Sequence, residues 1–338
     1  MTPPPRVLLV EHLDAIGAAP ADARFRAGAL RAAGATVEVV VLDTDRGEDL
    51  QYGAVSNRRD ASMTLWHAHH AAGPLGRFAR GKRFDLALWA SAHASDRLAE
   101  QLPGALPAYH WCTGFAPHAM STRALPPLDL DLEPCAGSTF DLGRLQRGRL
   151  SLWDGPFALA PAPLTPETGR QVLEAFAFAV NDRDEIDLVV LDHPREPLES
   201  LARELGVELR VHFVGPAPRE AEVSWLQTAT VAMVAGDHAV SAGLVLRALA
   251  SGCPLLPVGE EAGPLAGWLL ARELAPFAGA DGEALGQAIE AVFEAGPGIA
   301  ELQAHGREMA ERYGLEALSE RFSRALARMA DRDDHRAA

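Results

Sequence analysis

Lysine is almost absent from this sequence. Lys82 is the only one among 338 residues, and 31 Lys and Arg together face 46 Asp and Glu, a net charge of −15. DNA, RNA and anionic membrane surfaces are gripped by clustered basic side chains, so this balance argues against all three as partners. Any anionic ligand has to be held locally, by a helix N-terminus or single arginines working against the overall field. Cysteine is scarce too: Cys112, Cys135 and Cys253 are odd in number and widely spaced, with no paired motif for zinc or a redox dithiol, which suits a reducing cytoplasm. No stretch approaches the roughly 18 to 20 apolar residues that span a bilayer, and the run Val7 to Val10 is too short for the core of a signal peptide. A Gly-x-Gly-x-x-Gly fingerprint, a Gly-Lys-Ser phosphate loop and a His-Glu-x-x-His pair are all missing.

What is present reads as an ordinary folded chain. Apolar residues make up 48% and charged residues 23%, far from the balance of disorder. At about 150 residues per domain the length suggests two domains, each able to bury its own core. Arg6 to Glu11 is a continuous apolar run, followed by a helical pattern from about Ala21 to Ala33, a stop at Gly34 and a second run from Thr36 to Leu42. Unbroken rather than alternating apolar strands are buried on both faces, the habit of parallel sheets. The pattern returns at Phe84 to Ala90, with a helix near Ser95 to Leu102, and then at Leu106 to Trp111. It fades between Pro117 and Arg149, where prolines and an acidic run suggest irregular structure. A second series starts at Phe157 to Ala160 and alternates strand with helix as far as Pro254 to Val258, predicting a second parallel sheet covered on both faces. The last segment is an amphipathic helix broken at Tyr313-Gly314, with a frayed end from Asp331.

The segment from Pro216 to Pro254 carries the most chemistry: a helix (PREAEVSWLQTA), a buried strand (TVAMVA), a polar loop (GDHAV) and then SAGLVLRALASGCP. The first amides of the last helix, at Ala242, Gly243 and Leu244, are suited to bind phosphate oxygens, and Gly243 allows close approach. The alternative is that Ser241 simply caps the helix and the small residues pack it on the sheet. This run resembles the donor-binding core of the family-four glycosyltransferases of the B fold, in which a helix with a Leu-Glu-Ala-Met-Ala-x-Gly-x-Pro pattern follows a loop facing the sugar donor. PLTPETGRQVLEAF (Pro163 to Phe176) resembles the segment that opens the family's second domain, and Tyr313 to Met329 resembles its closing helix. The family's two donor-contacting glutamates align with Ala239 and Arg247, and the Arg and Lys of its diphosphate clamp with Pro163 and Thr168. None of the four signature groups is present. Asp237 and His238 are candidate replacements on the sugar, and Arg247 is a candidate replacement for the lost positive charge; as alternative, Arg247 is a solvated helix residue.

In the first half, the loop His12 to Pro20, with Gly17, lies after the first strand, where such folds approach the acceptor or the diphosphate. His110, in PAYHWCTG, is read as a strand-end residue and resembles the family's histidine near the sugar. Strand ends of open α/β sheets are where ligands lie, although a strand-end His is equally a structural residue. His93 follows another strand end. His67, His69 and His70 are read as one helical stretch with a solvated face, lacking the Cys or carboxylate partners of a metal site. Ala239 to Gly243 comes within one residue of a hydrolase nucleophile elbow, but a polar loop separates it from its strand.

The resemblance implies two Rossmann-like parallel-sheet domains facing across a cleft, over residues 1–154 and 155–314, with 315–338 crossing back to the first. It implies a cytoplasmic transferase that moves a sugar from a nucleotide-sugar donor to an acceptor the sequence does not reveal, without metal or cofactor. The loss of the signature groups supports a second reading, a pseudo-glycosyltransferase that kept the fold as a binding or scaffold protein.

Overall fold

In a computed structural model the described residues are 4–13, 19–43, 55–60, 63–69, 78–91, 106–112, 155–161, 164, 166–180, 186–191, 195–214, 219–235, 242–259, 263–274, 282–294 and 297–337. The chain divides into two compact units, Met1–Asp141 with Tyr313–Ala338, and Leu142–Arg312. Both are Rossmann-like α/β units, each with a parallel sheet.

The first unit is built on β1 (Arg6–Leu13), whose apolar run is flanked by β2 (Thr36–Asp43) and β5 (Leu86–Ser91) in parallel register. Val7, Leu9, Val37, Val39, Leu86 and Leu88 form one buried face under helix α1 (Ala19–Ala32). The alternate residues Leu8, Val10, Val40 and Ala87 are also shut off from solvent, so β1 is buried on both faces as its unbroken pattern requires. β6 (Ala108–Cys112) pairs with β5, and β4 (Met63–His69) with β2, all parallel.

One edge differs from the expectation. Residues 63–69 are a strand, not a helix, and β3 (Val55–Asp60) runs antiparallel to it, giving the order β3-β4-β2-β1-β5-β6. His67 and His69 therefore stand two apart on β4, in register with Val41 and Asp43, while His70 lies outside the described residues. Asp60 pairs with Met63, and β3 lies at the edge of the sheet, where the polar sequence VSNRRD discourages further pairing.

The second unit has five strands, all parallel, in the order β11-β10-β7-β8-β9. These are β7 (Phe157–Ala160), β8 (Asp187–Leu191), β9 (Val211–Val214), β10 (Val231–Ala235) and β11 (Leu255–Val258). Helices α2 (Pro166–Ala179), α3 (Arg195–Glu204), α4 (Arg219–Thr228) and α5 (Ala242–Ser251) make the crossovers. They are followed by α6 (Gly263–Leu270), α7 (Gly282–Phe293) and α8 (Pro297–Glu311). Ala158 and Ala160 belong to a core with α2, α3 and α7, where Phe176, Leu198 and Ile289 are buried. Phe157, one residue out of phase, turns to the opposite face and meets the Trp225 ring of α4 edge-on at 5.7 Å. Two buried faces on four consecutive residues again explain the unbroken apolar strand.

Helix ends are set by local chemistry. At the end of α5, the Gly252 amide bonds the Leu249 carbonyl and the Cys253 amide bonds the Ala248 carbonyl, with Gly252 at φ 72°. This left-handed stop satisfies the last carbonyls and suits glycine, which has no Cβ to clash. The same pattern closes α6, where the Glu273 and Leu274 amides bond the Leu270 and Leu269 carbonyls. Here the left-handed position is Glu273, at φ 55°.

The long final helix α9 (Leu315–Ala337) begins after the break at residues 312–314. Its Leu318, Phe322 and Ala325 are buried against α1 and the first sheet, so the end of the chain is part of the first unit's core. Among the described residues no helix is long and apolar enough to cross a membrane.

Candidate functional site

In a parallel α/β sheet every crossover helix starts at the C-terminal edge of the strand before it. The order β11-β10-β7-β8-β9 puts β7 and β10 side by side while their chains leave in opposite directions, β7 by α2 to β8 and β10 by α5 to β11. This is a topological switch point, where the outgoing connections part and leave a crevice at the strand ends. The parallel strands of the first sheet, β4-β2-β1-β5-β6, repeat the pattern, with the switch point between β1 and β5.

Helix α5 starts at the second-unit switch point, with Ala242 as its first residue. The first amides of an α-helix point out along its axis, and its macrodipole places about half a positive charge there. Gly243 and Leu244, in that first turn, are buried. The far end of α5 is tightly fixed: a Cβ on Gly306 of α8 would come within 3.2 Å of the Leu249 side chain. The amides of the first turn are thus displayed by a helix clamped at its other end.

Arg247 is buried, only 7% exposed, which rules out the solvated alternative. Its Nη2 donates to Glu222 of α4, at 3.2 Å from Oε2 and 3.5 Å from Oε1. Sequence reasoning did not single out Glu222; charged residues at Arg219, Glu220 and Glu222 give no periodic signal of burial. Thr168, which aligns with a clamp cation of the family, is also buried, in the first turn of α2. At the end of β11, Gly259 takes φ 90°, and a Cβ there would lie 2.2 Å from Oε1 of Gln171 in α2. That approach ties the α2 helix to the C-terminal edge of the same sheet.

Asp237, His238 and Ser241 lie outside the described residues, as do Ala239, Pro163, Gly17 and His93. His110 is the third of five residues of β6, paired in register with Trp89, and the strand continues beyond it to Cys112. β6 is the edge strand beside β5, one place from the first unit's switch point.

The chain matches solved structures over nearly its whole length. Sucrose-phosphate synthase from Thermosynechococcus elongatus superposes with a TM-score of 0.64 at 16% identity, over 97% of this chain and 99% of that one. The trehalose-6-phosphate protein of E. coli bound with UDP-2-fluoro glucose gives 0.65 at 11% identity, over 94% and 98%. AviGT4, a glycosyltransferase involved in avilamycin A biosynthesis, gives 0.61 at 15% identity, over 96% and 98%. The fold is that of the B-type glycosyltransferases. No protein-family model and no curated protein sequence matches the chain.

Proposed function

We propose that this B-fold chain binds a nucleotide-sugar at the C-terminal edge of its second sheet and transfers the glycosyl group to an acceptor. The observation that carries this reading is the placement of the α5 first turn at the switch point between β7 and β10. Backbone amides at Ala242, Gly243 and Leu244 would hold the diphosphate, with Ser241 at the cap and Asp237 and His238 on the sugar. In the reaction the bond from the anomeric carbon to the diphosphate oxygen breaks, and its electron pair leaves with the nucleoside diphosphate. The acceptor oxygen forms the new bond, and its proton passes to the departing diphosphate or on to water. Negative charge develops on the leaving phosphate, and preorganised amides aimed there stabilise it without reorganisation. His110, in the first unit, is the candidate group for orienting sugar or acceptor, and the loop with Gly17 is the candidate approach on the acceptor side. Helix amides and arginine do the neutralising in this scheme, without a resident metal or cofactor.

A pseudo-glycosyltransferase is the second reading, favoured by one observation. The arginine that could replace the family's clamp is already engaged by Glu222.

Thermal-shift screening of the full chain against nucleosides, nucleoside diphosphates and nucleotide-sugars tests the first reading, since a ligand of the folded state raises its apparent stability. Diphosphates should stabilise and uncharged nucleosides should not. Gly243→Val, folded by circular dichroism, should lose at least about ten-fold in diphosphate affinity, or ~1.4 kcal/mol. Unchanged affinity in that variant moves the site elsewhere. Diphosphate binding with no turnover of any donor selects the second reading.

A further inference from the structure

That residues 63–69 form a strand changes what their histidines can do. On β4, His67 and His69 are two residues apart and therefore share a face of the sheet, as residues two apart on a helix do not. Parallel pairing extends that face across the neighbouring strands in ranks. Leu65, Val39, Leu9 and Leu88 make one rank, in which Val39, Leu9 and Leu88 are shut off from solvent. The next rank toward the C-terminal edge is His67, Val41, Glu11 and Ala90, and the last is His69, Asp43 and Leu13. The face thus turns from wholly apolar to partly titratable in its last two ranks, on the adjacent strands β4, β2 and β1. Asp43 is the carboxylate neighbour that the local sequence MTLWHAHH lacks, distant in the chain and directly beside His69 in the sheet.

We propose that His67, His69 and Asp43 form a site for one divalent transition-metal ion, zinc being the best fit, at the C-terminal edge of the first sheet. A rise of about 3.3 Å per residue and a strand spacing of about 4.8 Å put the Cα atoms of His67 and His69 about 6.6 Å apart, those of His69 and Asp43 about 4.8 Å, and those of His67 and Asp43 about 8 Å. Bonds of roughly 2.0 to 2.2 Å from imidazole nitrogen and carboxylate oxygen allow three residues at that spacing to serve one ion. The ligand type selects the metal: imidazole suits zinc and its first-row neighbours, whereas calcium and magnesium take sets made of oxygen. Three protein ligands leave the fourth position of a tetrahedral ion open to water or a hydroxyl group. Asp43 and Glu11 together supply the negative charge that offsets a dication. This inference is independent of the donor-site reading, which concerns the second unit and whose scheme calls on no metal.

The test is titration of the tag-free full chain, stripped with chelator, using zinc chloride in a calorimeter and cobalt(II) chloride followed by visible absorption. Wild type should take up one equivalent of zinc, and cobalt should develop the intense bands of a low-coordinate site in place of the pale aqueous ion. His67→Ala, His69→Ala and Asp43→Asn, each folded by circular dichroism, should each weaken zinc at least about a hundred-fold, the upper end of what removal of an outer-shell partner alone costs. His305→Ala, on α8 of the second unit, should leave zinc affinity unchanged. Zinc that binds wild type and all three variants alike is adventitious and overturns the proposal, as does a wild type that takes up no zinc at micromolar concentration. Loss in both histidine variants with full affinity in Asp43→Asn overturns the assignment of the three residues to one ion. Should one variant not fold, the same criterion applies to the other two. None of these outcomes bears on diphosphate binding, which the thermal-shift screen reads separately.

Discussion

Replacing Arg247 with Met removes one half of a buried ion pair while keeping the length of the side chain. Nη2 of Arg247 lies 3.2 and 3.5 Å from the two Glu222 oxygens, and the side chains are 8% and 13% exposed, so water screens them little. At an effective dielectric of ~20, unit charges at such a distance attract by roughly 5 kcal/mol. That gain offsets the desolvation of both ions, which is several kcal/mol for each, so the intact pair adds little over an apolar pair of equal volume. Removing one partner upsets the balance, because the attraction goes while the carboxylate stays in its low-dielectric site. Arg247→Met should therefore cost about 3 to 5 kcal/mol, and Arg247→Met with Glu222→Leu should recover most of it. With two units in one chain a single global unfolding energy is poorly defined, so the suitable assay is hydrogen exchange read by mass spectrometry. Peptides covering α4, β10 and α5 should exchange at least about a hundred-fold faster in the single variant, the equivalent of ~3 kcal/mol, with peptides from β1 and α9 unchanged. A single variant within about 1 kcal/mol of wild type, or a double variant as unprotected as the single, refutes the reasoning.

Two further outcomes follow from packing and backbone geometry. Phe322→Ala should destabilise the first unit by about 3 to 5 kcal/mol, because Phe322 is 1% exposed in the core that α9 shares with α1 and β1; exchange protection lost across α1 and β1 checks it, and an effect confined to α9 itself counts against it. Glu273→Gly should stabilise the second unit by about 1 kcal/mol, since Glu273 holds a left-handed φ of 55° at the stop of α6; a lower melting temperature for this variant contradicts the assignment of strain.

The second unit was highly legible because its sequence signals are local and agree with its packing. Strand β7 falls on the residues expected, Phe157 to Ala160, and the helix of PREAEVSWLQTA, the strand of TVAMVA, the helix of SAGLVLRALASGCP and the strand Pro254 to Val258 appear as α4, β10, α5 and β11, the last three beginning within one residue of expectation. Continuous apolar runs bounded by Gly252 or by polar turns leave little room for another arrangement. The β3–β4 hairpin was not legible, since VSNRRD has no apolar face and the histidines of MTLWHAH blur the alternation of β4. Period two survives there only in Thr64, Trp66 and Ala68 against Leu65, His67 and His69. Helices α6 and α7 were missed for a related reason: Gly263, Gly267, Gly282 and Gly286 read as loop punctuation. At Gly286 a Cβ would fall 2.2 Å from the Phe178 ring, so that glycine answers to helix packing between α7 and α2. Burial of Arg247 was illegible for a different reason. A charged residue in a helix declares its partner only when the neighbouring helix is in place.

The candidate site separates two kinds of molecular recognition that sequence comparison treats alike. Contacts made by side chains, as in the family's glutamates and its clamp, depend on residue identity and are lost when Ala239, Arg247, Pro163 and Thr168 stand in their places. Contacts made by backbone amides depend only on where a helix starts. Here α5 starts after β10 at the switch point, and the Gly252 stop and the close packing of Leu249 on Gly306 fix its far end. Sequence divergence erodes the first kind and spares the second. On the proposed reading, a chain that matches solved B-fold structures over more than nine-tenths of its length at 11 to 16% identity would keep its anion-binding amides although the family's charged groups are replaced. Selectivity for diphosphate over uncharged ligands should then respond more to Gly243→Val than to substitution of exposed arginines elsewhere on the chain, whose effects ionic screening limits to about a Debye length, roughly 8 to 10 Å at moderate salt.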